Sequence, residues 1–177
     1  MNFIKTKLQG VYEIVSVPIT DYRGYFTRTF CVNEFKDQNI NLSVVQINRS
    51  MNIKKGTIRG MHYQKEPMSE DKVVSIICGS IYDVIVDLRP KSKTYKQWIA
   101  IKLSDKDNRM IFIPKGCAHG FQTLEDNCIV EYFMSEFYSP QYASGVRPDD
   151  PAFKIKWPIK QIIISDKDKN WPQFQKE

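Results

Sequence analysis

The sequence predicts an all-β protein, a double-sheet jelly roll or a closed barrel. Three observations carry this. Short runs rich in Val, Ile, Tyr and Phe follow one another, each bounded by turn residues. Roughly ten such runs fit into 177 residues, a length suited to one domain over 1–177. Only one short segment reads as helix, so helices are expected to be few and peripheral.

Taken in order, "GVYEIVSVPI" and "GYFTRTF" are β-branched and aromatic runs on either side of the turn "TDYR". The segment "VNEFKDQN" then reads as the short helix, with Asn33 as its cap. "LSVVQINRSM", "TIRGMHYQ" and "DKVVSIICG" follow as strands, then "SIYDVIVDLR", "QWIAIKL", "RMIFIP", "HGFQTL" and "NCIVEYFMSEF". In "SIYDVIVDLR", a period of two puts Ile81, Asp83, Ile85 and Asp87 on one face and Tyr82, Val84, Val86 and Leu88 on the other. Carboxylates on an apolar strand need partners. Asp83 is therefore a candidate to orient a histidine, and Asp87 is expected to pair with Arg89 at the rim.

Composition narrows the functional classes. No run approaches the roughly 20 apolar residues of a membrane span, and "MNFIKTKLQG" lacks the apolar stretch of a secretion signal. Cysteines 31, 78, 117 and 128 show no CxxC pair and read as reduced, mostly buried thiols of a cytoplasmic protein. The net charge of +6 suits either nucleic acid or a small anionic substrate. The lysines are scattered near turns, and no nucleic-acid-binding signature accompanies them, so no nucleic-acid partner and no membrane partner is expected.

The chain has two histidines, and both lie in apolar, Gly-punctuated runs: His62 in "TIRGMHYQ" and His119 in "IPKGCAHGF". Satisfied core histidines are the plain alternative to chemistry. Pro114, Gly116 and His119 form P-x-G-x-x-H, which resembles the second motif of cupin jelly rolls. A metal-binding cupin also needs H-x-H in its first motif. Here that stretch offers His62 and Gln64, so a three-histidine ligand set cannot form, and Arg59 and Lys72 put cations beside any site. No metal is expected, and the histidines are free for acid–base work.

"GTIRGMHYQ", "DKVVSI", "IYDVIVDLRPKSKTY", "IPKGCAHGFQTL", "YFMSEFYSP" and "DDPAFKIKWP" occur in this order. Together, from about Gly10 to Trp171, they resemble the dTDP-4-dehydrorhamnose 3,5-epimerases. The resemblance implies a cupin-like jelly roll, usually a homodimer, that needs no cofactor and acts on nucleotide-linked 4-keto-6-deoxyhexoses. The C4 ketone acidifies the protons on C3 and C5. A base removes one, an enolate forms, and a proton returns from the opposite face.

Residue by residue, the resemblance makes His62 the base and Asp168 its carboxylate partner. Lys72 matches the lysine at the enolate oxygen, and Tyr132 the opposite-face acid. Arg59, His119, Gln46, Asn48 and Lys167 match substrate contacts; Arg23, Phe26 and Tyr138 match residues around the nucleotide. A non-catalytic sugar-nucleotide-binding cupin and a metal-dependent oxygenase are the other classes. Three departures stand out: Arg28 and Ala143 where the family commonly has Glu, and Pro148 in place of a Trp. An Arg28 fork facing the pocket would favour an acceptor-rich base and a GDP or CDP carrier; turned away, it would pair with a surface carboxylate.

Overall fold

A computed structural model describes residues 1–174. The strands are β1 (Asn2–Lys5), β2 (Tyr12–Val15), β3 (Ile19–Asp21), β4 (Gly24–Phe26), β5 (Gln46–Asn52), β6 (Thr57–Gln64) and β7 (Lys72–Cys78). They continue with β8 (Ser80–Asp87), β9 (Trp98–Ser104), β10 (Arg109–Ile113), β11 (Cys117–Thr123), β12 (Cys128–Met134), β13 (Ala143–Gly145) and β14 (Ile163–Ile164). The helices are α1 (Val32–Lys36) and α2 (Asp166–Lys169). One sheet runs β1-β2-β10-β7-β12-β5; the other runs β13-β6-β11-β8-β9, with β14 added in parallel beside β6. The two sheets make the expected jelly roll, and β3 and β4 form a separate hairpin.

The alternation in β8 explains the layering. Ile81 and Ile85 join Val74, Ile76, Ile111, Ile113, Phe121 and Val130 in a core built from both sheets. Val84 and Val86 join Met61, Ala118, Val146 and Phe153 on the opposite face of the second sheet. That sheet is covered on both sides, so β8 carries apolar residues on both its faces. The outer face of the first sheet buries Ile14, Val73, Met110 and Phe112 against Phe35 of α1.

Some expectations needed correction. The cap of α1 is Cys31, with no side-chain cap bond, and Asn33 lies inside the helix. Burial of Phe35, which is fully inaccessible, sets the helix position in place of a capping hydroxyl or amide. Asp87 does pair with Arg89, at 2.8 Å, but the carboxylate is wholly buried and not at a rim. Burial raises its pKa, and bonds from Arg89, Ser92 and Thr94 more than offset this, bringing it down to about 2. The run "GVYEIVSVPI" divides at 16–18 into β2 and β3, and only Gly24–Phe26 of "GYFTRTF" is strand. The cysteines carry free thiols, but only Cys117 and Cys128 are buried; burial pushes Cys117 up to about 12. Among the described residues no helix is long and apolar enough to cross a membrane.

Candidate active site

The site begins with an irregularity in β6. Across the β6–β11 ladder, His62 pairs with His119 and Arg59 with Phe121, so four residues of β6 lie opposite three of β11. In a regular strand Arg59 and His62 would face opposite ways. The extra residue at Gly60–Met61 puts both on the face that looks toward the first sheet. Gly60 holds φ +132° there, and a Cβ on it would collide with the Gly120 backbone. This is why the histidine runs are punctuated by glycine.

A cavity of about 450 Å³ opens between the sheets, lined from the second sheet by His62, Gln64 and His119 and from the first by Gln46, Asn48, Lys72, Tyr132 and Met134. Tyr138, Ala143, Ser144, Lys167 and Trp171 complete the lining. His62 and Tyr132 thus enter from opposite walls.

His62 Nε2 lies 2.6 Å from Asp168 Oδ1. Asp168 Oδ2 accepts the Gly60 N–H at 3.2 Å, and Trp171 Nε1 donates to Oδ1 at 3.3 Å. Ser165 caps α2 by accepting the Asp168 N–H, which sets the carboxylate's approach. Burial pushes the Asp168 pKa up, but His62, Gly60 and Trp171 together bring it below the ordinary carboxylate value. An ionised Asp168 puts the proton on Nε2 and leaves Nδ1 with the lone pair. The His62 side chain is 45% exposed, so that ring reaches the cavity while its partner stays buried.

Opposite, Tyr132 Oη bonds Ser50 Oγ at 3.1 Å. Burial raises the phenol's pKa further above its ordinary value than Ser50 and the Arg59 charge lower it, so at neutral pH it carries its proton. His119 Nε2 meets Asp83 Oδ1 at 2.6 Å, the partnership anticipated from strand alternation. Asp83 is fully buried, burial raises its pKa, and its Oδ2 has no partner. The His119 ring stands edge-on to Tyr132. Lys72 Nζ lies 2.8 Å from Glu70 Oε1, both side chains being buried.

Of the residues expected from sequence, His62, Lys72, His119, Tyr132, Gln46, Asn48, Tyr138 and Lys167 line the cavity, with Asp168 directly behind His62. Arg59 stands outside the lining, held by Asn52 Oδ1 at 2.6 Å. Arg23 and Phe26 lie on the exposed β3–β4 hairpin, where Arg23 pairs with Asp21, and neither lines this cavity. Arg28 turns away from it and pairs with Glu34 at 2.9 Å, while Ala143 is part of the wall. The Pro148 carbonyl accepts the Trp157 indole N–H. Sequence reasoning missed Ser50 and Glu70 as parts of the site. Ser50 was legible, since Gln46, Asn48 and Ser50 share one face of β5. Among the described residues no three His, Cys, Asp or Glu side chains converge to hold a metal ion.

Comparison with known proteins shows the family. The family model described as dTDP-4-dehydrorhamnose 3,5-epimerase matches residues 5–176. A dTDP-4-dehydrorhamnose 3,5-epimerase of Methanothermobacter thermautotrophicus is 46% identical over 173 residues, covering 96% of this chain and 92% of the relative. The crystal structure of the Bacillus anthracis protein of that name, with TDP and pyrophosphate bound, superposes with a TM-score of 0.95 at 39% identity, covering 98% of this chain and 99% of that one. A Legionella pneumophila epimerase in complex with dTDP-4-keto-L-rhamnose superposes at 0.90 with 32% identity, covering 99% of both chains.

Proposed function

Because the chain belongs to the dTDP-4-dehydrorhamnose 3,5-epimerase family, we propose that it inverts C3, C5 or both of a dTDP-linked 4-keto-6-deoxyhexose by proton removal and return. The observation that carries this is the placement of His62, backed by Asp168, and Tyr132 on opposite walls of one cavity. His62 Nδ1 takes the proton α to the ketone, and Asp168 stabilises the imidazolium that results. The Lys72 ammonium meets the oxygen on which charge develops. Tyr132 returns a proton from the other side; a phenol is a far stronger acid than a carbon next to a ketone, so the transfer runs downhill. Gln46, Asn48 and Lys167 of the lining contact the substrate and Tyr138 its nucleotide, and the +6 net charge favours a diphosphate. With Arg28 held by Glu34, the arginine fork that would favour a GDP or CDP carrier does not line this cavity.

No metal, nicotinamide or other cofactor enters this chemistry. Incubation with a dTDP-4-keto-6-deoxyhexose in D₂O is expected to place deuterium at C3 or C5, at a rate that exhaustive chelation does not change. NMR of the sugar reads the result. Exchange that needs an added divalent metal would reject the metal-free mechanism. Binding with no exchange at all would point to a non-catalytic binding protein.

The reading includes a homodimer in the cytoplasm. Ile19, Tyr22, Tyr25 and Phe26 leave large apolar side chains exposed on the β3–β4 hairpin, with Tyr22 97% accessible. A second copy covers it, and Arg23 and Phe26 then serve the nucleotide pocket of the partner subunit. Light scattering at assay concentration is expected to show a dimer, and Phe26→Asp to shift it toward monomer while raising KM. A monomer with full activity would contradict the arrangement.

A further inference from the structure

We infer that Glu70 is a positioning residue of the reaction, a buried carboxylate that holds the Lys72 ammonium where negative charge develops on the substrate. The inference rests on the reading of Lys72 as the group that meets the enolate oxygen. Glu70 lies between β6 and β7, and both it and Lys72 are 5% exposed in the cavity wall. Its two oxygens have separate tasks: Oε1 accepts from Lys72 Nζ at 2.8 Å, and Oε2 accepts the Gln64 N–H at 3.1 Å. Gln64 is two residues beyond His62 on β6, so one strand carries both the base and the anchor of Glu70. The Gln64 side chain also clamps the surrounding loops, donating to Met68 O at 2.8 Å and Phe137 O at 3.1 Å and accepting the Ser139 N–H at 2.7 Å. The position at which a metal-binding cupin carries a ligand here fixes the loop that holds Glu70.

A lysine side chain has a flexible four-carbon stem and ordinarily reaches for water. Buried alone, its ammonium would lose hydration that nothing returned; beside Glu70 it is compensated. One of its three N–H donors serves the carboxylate, and the others remain for an oxygen in the cavity. The ammonium is therefore desolvated and aimed before the proton moves, so little reorganisation accompanies charge development. The same construction recurs at His62–Asp168 and His119–Asp83, each at 2.6 Å, so each of these three side chains in the cavity wall stands on its own carboxylate.

The test is a double-mutant cycle of Glu70→Gln and Lys72→Met, read by deuterium exchange, by steady-state kinetics and by thermal unfolding. Glu70→Gln keeps the side-chain length and an acceptor for Gln64 but removes the charge. It is expected to lower kcat about 10- to 100-fold while KM and dTDP affinity stay within about twofold. In the Lys72→Met background the same change should lower turnover no further. The double variant should unfold at a higher temperature than Lys72→Met, which leaves a buried carboxylate without its counter-charge. A Glu70→Gln kcat within about threefold of the parent overturns the inference. So does a loss of the same size in the Lys72→Met background, because it marks a purely structural role through Gln64. If Glu70→Gln alone fails to fold, the order of stability of Lys72→Met and the double variant decides, and a less stable double variant overturns the inference. Parental turnover by Lys72→Met would instead reject the role of Lys72; a slow Lys72→Met beside an unaffected Glu70→Gln would reject only the role of Glu70.

Discussion

His62→Ala is expected to stop proton exchange at the sugar carbons, lowering turnover by about 10²- to 10⁴-fold, the contribution general bases ordinarily make. The expectation follows from the construction of the dyad. Asp168 is buried behind His62, bonded by the Gly60 N–H and the Trp171 indole, and is ionised at neutral pH. It fixes both the tautomer and the direction of the imidazole, whose other nitrogen is the base. Alanine removes that nitrogen but leaves Gln46, Asn48, Tyr138 and Lys167 in the lining, so affinity for dTDP should persist. The check is deuterium incorporation by NMR beside a dTDP titration. A variant that exchanges within about a factor of three of the parent rate would remove His62 from the role of base.

Tyr132→Phe is expected to separate exchange from inversion. The phenylalanine ring fills the same space, and only the hydroxyl and its bond to Ser50 are lost. His62 still removes a proton and still returns one to the same face, so deuterium enters the sugar. Delivery to the opposite face loses its donor, and net epimerisation should fall by about 10²-fold or more. The measurement compares exchange with product configuration in one sample. Epimerisation at the parent rate would show that Tyr132 is not the acid. Loss of exchange as complete as in His62→Ala, with dTDP affinity intact, would show that the two residues do not act on separate faces.

Much of the site was legible because its chemistry is rare in the sequence. Two histidines in apolar strands, and a carboxylate on the buried face of β8, are residues that a core does not accept without partners. Strand alternation alone led to Asp83, and His119 is its partner at 2.6 Å. Glu70 was not legible in the same way. In "SEDK" it is one acid among neighbours that would suit a solvated loop, and its burial comes from Gln64, six residues back, whose backbone N–H it caps. Arg28 shows the same limit in reverse. A charge change beside the expected pocket suggested a change in base recognition, but Glu34 of α1 stands within reach and takes the guanidinium.

The sequence by itself determined the all-β class, the faces of its strands and the residue types able to move a proton, because alternation and burial are local properties with a period of two. The tertiary structure decided what brings them together. The extra residue at Gly60–Met61 turns Arg59 and His62 to the same face, and it is defined only by the register against β11. Asp168 reaches His62 across 106 positions, on a one-turn helix whose place depends on Ser165, on Trp171 and on the β6 backbone. Pairings of that range depend on closing long loops between strands, and no window of sequence contains both partners.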